Sequence, residues 1–235
     1  IGLSSITTSL NNFFFKAGSL FTSNYLKQRY EFPFMSFAGT QGADHLILFF
    51  INALCGLTVS LALFSEHKEI FFPLAICYFS ATVFLILVFY KTFNFQHRSN
   101  IFLNALIQAI SSLYRILKNK KMFCLLCAHN ILLVGLNALR LLLVCKALNI
   151  EITLGYCLLF ITLTPVISAI PIIHSDLGTR ELAIGMYSQW LGMGFQTGML
   201  ATLLDRCFVL FWAILISLYY RSLFFSTKAT HTLKN

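Results

Sequence analysis

Four ionisable residues and a glycine fall within eight positions in the run His174-Ser175-Asp176-Leu177-Gly178-Thr179-Arg180-Glu181. The chemistry open to such a set is recognition of an anion beside an internal counter-charge. A guanidinium presents a planar fork that grips phosphate at two points, and a glycine lets the backbone turn and approach a ligand. Apolar sequence lies on both sides of the run. A charge at bilayer depth costs roughly 2.5 to 3.5 kcal/mol on insertion scales, so a cluster kept there is a functional-site candidate. Arg180 is the candidate for an anionic head group, with Gly178 as the turn, Thr179 as cap of the following helix and His174 as a further polar contact. Glu181 suits the dipole at the first helical turn, and it or Asp176 would balance the charge of an empty site. A structural reading stands beside this one, in which Arg180 pairs with Glu181 or Asp176 and pins a broken helix. For His174 the alternatives are a proton relay or a satisfied polar residue.

A second cation, Arg140, interrupts another apolar run. At 3.6 residues per turn, His129, Asn130, Asn137 and Arg140 fall within about 100° of one helical face, which is expected to line a cavity. Arg140 snorkelling to the interface is the alternative. Asn130 and Asn137 would alternatively make interhelical hydrogen bonds of about 0.6 kcal/mol each. Asp205 and Arg206 are read as opening a long apolar helix, fixing its start or its partner. Gly194-Phe195-Gln196-Thr197-Gly198 fits a close-packing G-x-x-x-G pattern or a loop.

The elements that must hold these residues are membrane helices. Of 235 residues, 58% are hydrophobic, 11% are charged and 25 are phenylalanine, with a mean hydropathy of +0.79. A soluble domain carries roughly 25% charged residues. Runs long enough to cross about 30 Å of hydrocarbon are 43–64, 70–90, 122–144, 152–173 and about 201–225. Pro165 and Pro171 interrupt the fourth, and the short arm 182–192 that follows favours half-helices over full crossings. Along 100–117, Asn104, Gln108, Ser111, Ser112 and Arg115 form a polar stripe with apolar residues elsewhere, which predicts an amphipathic helix in the interface.

The connection 91–121 holds Lys91, Arg98, Arg115, Lys118, Lys120 and Lys121 and no acid, so it is expected in the cytoplasm together with the basic tail after Arg221. The chain divides as one membrane domain, 1–235: a first half 1–90, the basic connection 91–121, a second half 122–225 and a cytoplasmic tail 226–235. Gly18 precedes Asp44 by 26 positions (44 − 18) and Gly178 precedes Asp205 by 27 (205 − 178), with an apolar helix after each acid. The parity of crossings makes these units an inverted repeat of broken helices, an arrangement that places a substrate site near the midplane. The sequence opens mid-pattern on Ile1, as expected where the natural N-terminus lies upstream, so no signal peptide is judged.

The run 171–181, followed by a short helix, Gly194 and Asp205-Arg206, resembles the proline, then Gly-x-Gly-x-Arg-Glu, signature of the lysylphosphatidylglycerol synthase transmembrane (flippase-like) family. Gly18 to Leu26, ending in Tyr25-Leu26-Lys27, is similar to that family's Gly-Glu, Arg and Tyr-Leu-Lys segment. Ser175 and Asp176 stand where glycines are usual in the family, and Ser19 where an acid is usual. The resemblance implies a polytopic membrane protein handling phospholipid or polyprenyl-linked sugar. Two-part members add a soluble aminoacyl-transferase domain, and nothing like it stands in this sequence.

No cofactor or metal is expected. Cys124 and Cys127 form a lone C-x-x-C, whereas zinc needs four ligands, and nucleotide and hydrolase motifs are absent. The net charge of +9 would meet anionic lipid rather than nucleic acid. The expected architecture is all-α and polytopic, integral to the cytoplasmic (inner) membrane of a bacterium. The expected function is binding and translocation of an anionic phospholipid or lipid-linked precursor, with no enzymatic step in this chain. The alternative is a non-catalytic subunit presenting lipid to a separate glycosyltransferase or aminoacyl-transferase, and a homo-oligomer fits either.

Overall fold

The computed structural model describes residues 6–7, 10–11, 17–65, 68–90, 101–168 and 178–226. Every regular element among them is an α-helix: α1 (Ala17–Tyr30), α2 (Phe34–Ala62), α3 (Lys68–Tyr90), α4 (Ile101–Lys118), α5 (Lys120–Ala147), α6 (Leu154–Ser168), α7 (Thr179–Trp190) and α8 (Phe195–Ser226). Four of them, α2, α3, α5 and the part of α8 from Phe195 to Tyr219, are long and apolar enough to cross a membrane. Their outer faces expose Phe79, Phe84, Leu125, Leu132, Phe211 and Trp212. So broad an apolar surface needs lipid to cover it. The chain is a polytopic, all-helical membrane protein.

Four of the five expected crossings recur with shifted limits, as α2, α3, α5 and α8, and the run 152–173 is described as helix over Leu154–Ser168. Asp44 and Asp205 do not open their helices. Each is the eleventh residue of a helix that starts earlier, at Phe34 and at Phe195. The hydropathy pattern trims polar early stretches such as Gly39-Thr40-Gln41-Gly42, the sixth to ninth residues of α2, whereas backbone hydrogen bonding continues through them.

Helices α2 and α3 form an antiparallel hairpin. Phe50 stacks edge-on with Phe89 at 5.4 Å, Phe64 meets Phe72 at 6.4 Å, and between these points a Cβ on Gly56 would sit 2.4 Å from the Tyr78 ring. The Tyr78 hydroxyl donates to Thr162 Oγ1 at 2.9 Å, since the Thr162 hydroxyl is itself spent on Leu159 O, and this bond ties α6 to the hairpin. Ile47, Phe71, Leu141, Leu159 and Ile184, all fully buried, join α2, α3, α5, α6 and α7 in one core.

The amphipathic segment is α4, and it is packed as well as amphipathic. A Cβ on Gly39 would lie 2.1 Å from Ala109 O, and Gln108 Nε2 donates to Ser36 Oγ at 3.3 Å, so part of the polar stripe faces the start of α2. Asn119 Oδ1 accepts from Met122 N at 3.3 Å and starts α5 one residue after α4 ends.

Helix α6, with Pro165 in its last turn, and helix α7 have 15 and 12 residues. At 1.5 Å per residue α7 extends about 18 Å, less than a bilayer core of about 30 Å, and the described part of α6 extends about 22 Å. Helix α6 leaves from the end of the bundle where α5 finishes, and α7 returns to the same end to join α8. Their connection, with Pro171, lies outside the described residues, as does most of the segment before α1. The turn from α7 to α8 uses Gly192 (φ +78°) and Gly194 (φ +87°), and Ser188 Oγ closes it by donating to Gly194 O at 2.9 Å. Beyond the turn the two helices touch closely: a Cβ on Gly198 would stand 2.4 Å from Ser188 Cβ. Gly194 is thus a turn residue and Gly198 a packing residue, so the two do not form one G-x-x-x-G face.

Candidate functional site

Asp205 is the centre of the site. It is fully buried on α8, and two arginines from different helices converge on it. Arg140 on α5 makes a two-point contact, Nε to Oδ1 at 2.5 Å and Nη2 to Oδ2 at 3.0 Å. Arg180 on α7 reaches Oδ2 with Nη2 at 3.4 Å, and among the described residues its buried Nε has no hydrogen-bond partner. Two parallel bonds hold a guanidinium far better than one long one. Arg140 is therefore fixed and Arg180 is loosely held.

Beside this trio, Arg206 donates to Glu181 Oε1 at 3.0 Å. The other oxygen, Oε2, accepts from the Gly178 amide at 2.9 Å. Gly178 has φ +90°, a conformation open to glycine and strained for other residues, and no other described residue comes within 4 Å of where a Cβ would go. Thr179 is the first residue of α7 and not its cap; the Glu181 carboxylate, reaching back to Gly178, satisfies the first amide instead. Among the described residues the cluster holds three arginines, Arg140, Arg180 and Arg206, and two acids, Asp205 and Glu181. The N-terminal end of α7 adds its partial positive charge at the same depth.

The structure thus brings Arg180, Arg140, Gly178, Glu181, Asp205 and Arg206 together. His174 and Asp176 lie outside the described residues. The polar face predicted on α5 divides. His129 is exposed, Asn137 is half-buried one turn before Arg140, and Asn130 is buried with Nδ2 donating to Leu126 O at 2.9 Å and to Asp44 Oδ1 at 3.3 Å. The Asp44–Asn130 contact has no sequence signal beyond two polar residues inside apolar helices. Tyr187 carries no sequence signal for the site: it is buried on α7, and among the described residues its hydroxyl has no partner. Arg140 does not snorkel, because its fork is committed to Asp205. Cys124 is exposed and Cys127 half-buried, both free thiols, and among the described residues no three His, Cys, Asp or Glu side chains could hold a metal ion.

A family model described as the lysylphosphatidylglycerol synthase TM region matches residues 4–217. Comparison with curated proteins gives no match, and comparison with solved structures gives none.

Proposed function

The chain belongs to the lysylphosphatidylglycerol synthase transmembrane family, and from that premise we propose that it binds an anionic phospholipid or lipid-linked precursor by its phosphate and moves the head group across the bilayer. The observation that carries the reading is the buried cluster of Arg140, Arg180 and Asp205 at the start of the half-length helix α7. Such breaks place a helix N-terminus and backbone donors at bilayer depth, where they meet anionic substrate groups. Asp205 pairs with both arginines and offsets one of their two charges, the role that sequence alone offers to Asp176 or Glu181. An arriving phosphate competes for Arg180, which gives up one 3.4 Å contact and gains a partner for its Nε. Arg140 stays on Asp205 and orients the site, while the open side of Gly178 leaves room for the head group.

Exposed Lys27, Arg29, Arg115, Lys118, Lys120 and Lys121 all stand at the end of the bundle where α2 and α5 begin. That end is assigned to the cytoplasm, so the site is reached from the opposite side past α6 and α7.

The test is lipid movement by purified chain in vesicles containing fluorescent phosphatidylglycerol. Arg180→Ala is expected to slow movement at least about tenfold, the factor given by roughly 1.4 kcal/mol of lost head-group binding, with its thermal transition near the parent's. Unchanged movement removes the role. A parent chain that moves no lipid and copurifies with a soluble transferase gives the presenting-subunit reading instead.

A further inference from the structure

A cavity of about 760 Å³ opens at the end of the bundle where α5 ends and α8 begins, with Lys146, Asn149, Glu151 and Thr153 on its polar side. Deeper, between α5, α6, α7 and α8, lies a void of about 10 Å³. It is no larger than one water needs. Ile150, Ile152 and Met193 line both spaces and so form the partition between them. On the far side the void touches Leu141, next to Arg140, and Thr202, one turn before Asp205. Polar cavity, apolar partition, void and arginine cluster therefore follow one another along a single line.

The partition has a movable member. Met193 stands between Gly192 and Gly194, both at positive φ, in the turn from α7 to α8. Small residues of this kind absorb the dihedral changes of a hinge, and an unbranched thioether adapts to more than one packing. An apolar constriction also keeps bulk water off the ion pairs below it, which strengthens them.

We propose that Ile150, Ile152 and Met193 are an apolar plug between an outer vestibule and the arginine cluster, displaced when a phosphate-bearing head group passes. The proposal rests on the head-group reading above and adds the route by which that site meets water.

The chain carries its own reporter. Cys145 lines the void beneath the partition and is 2% exposed, while Cys127, half-buried near the other end of α5, does not line it. A membrane-impermeant methanethiosulfonate is added to vesicles holding the full chain, and modification of each cysteine is timed by peptide mass spectrometry. Met193→Ala and Ile152→Ala, from different segments, are each expected to speed modification of Cys145 on the order of tenfold, as loss of a packed side chain shifts a local opening equilibrium. Cys127 should not change, and Met193→Leu, which keeps the plug filled, should label like the parent. Three results overturn the proposal: no acceleration in either alanine variant, equal acceleration at Cys127, or a parent that already labels as fast as the variants. Modification requires no lipid movement, so failure here refutes the plug alone, and unchanged transport in Arg180→Ala refutes the head-group site alone.

Discussion

Arg140 and Asp205, 65 positions apart on α5 and α8, are joined by two parallel hydrogen bonds of 2.5 and 3.0 Å, and Asp205 has no exposed surface. The pair couples the end of α5 to the long helix that follows the broken unit. Because Arg180 leans on the same carboxylate, the stability of the bundle and the readiness of the site depend on one acid.

Replacing Asp205 by Asn should therefore destabilise the protein by about 3–5 kcal/mol, the cost of leaving a buried charge without its partner. The double variant Arg140→Met/Asp205→Leu should recover much of that loss, since apolar packing can replace a buried pair. Recovery should be incomplete, because Arg180 still lacks its acceptor. Thermal unfolding in detergent reads all three chains. A double variant no more stable than Asp205→Asn would show that the pair is not what holds α5 to α8.

The charges of the site were legible in sequence because Arg140, Arg180, Glu181, Asp205 and Arg206 each stand out against apolar neighbours. Their pairing was not. It depends on how α5, α7 and α8 are set along one another, and nothing local to Asp205 says that its partner lies 65 residues back. The same limit explains the misplaced helix starts: an acid reads as a boundary when only hydropathy is followed, although Asp44 and Asp205 are third-turn residues. The shortness of α7 was readable from the short apolar arm, since a missing length is a local property. The close approach of α4 to Gly39 was not readable, because a glycine announces space without naming what fills it.

Gly178→Ala isolates backbone strain. Among the described residues no packing atom lies within 4 Å of the added methyl, so the cost comes from holding a non-glycine residue at φ +90°. That cost should be about 1–3 kcal/mol. It should fall on the start of α7, where the Gly178 amide meets Glu181 Oε2. Amide hydrogen exchange should then accelerate over the first turn of α7 and not in α5. Unchanged exchange at that turn would show that the residue does not hold this conformation in the membrane.

Gly198→Ala and Gly135→Ala apply the same substitution to opposite surroundings. At Gly198 the new methyl would meet Ser188 Cβ at 2.4 Å and Ile184 O at 2.9 Å, so α7 must move off α8 or the bundle must strain. Overpacking of this kind costs about 1–3 kcal/mol. It should also slow lipid movement, because Glu181 and Arg180 reach α8 from the helix being pushed. At Gly135, on the exposed side of α5, nothing lies within 4 Å, and exchanging a mid-helix glycine for alanine should stabilise by about 0.5–1 kcal/mol and leave transport unchanged. Ser188→Gly placed with Gly198→Ala removes the nearest clash and should restore part of the loss, the contact with Ile184 O remaining. Comparable melting temperatures for the two single variants would contradict the tight α7–α8 contact on which the position of Arg180 depends.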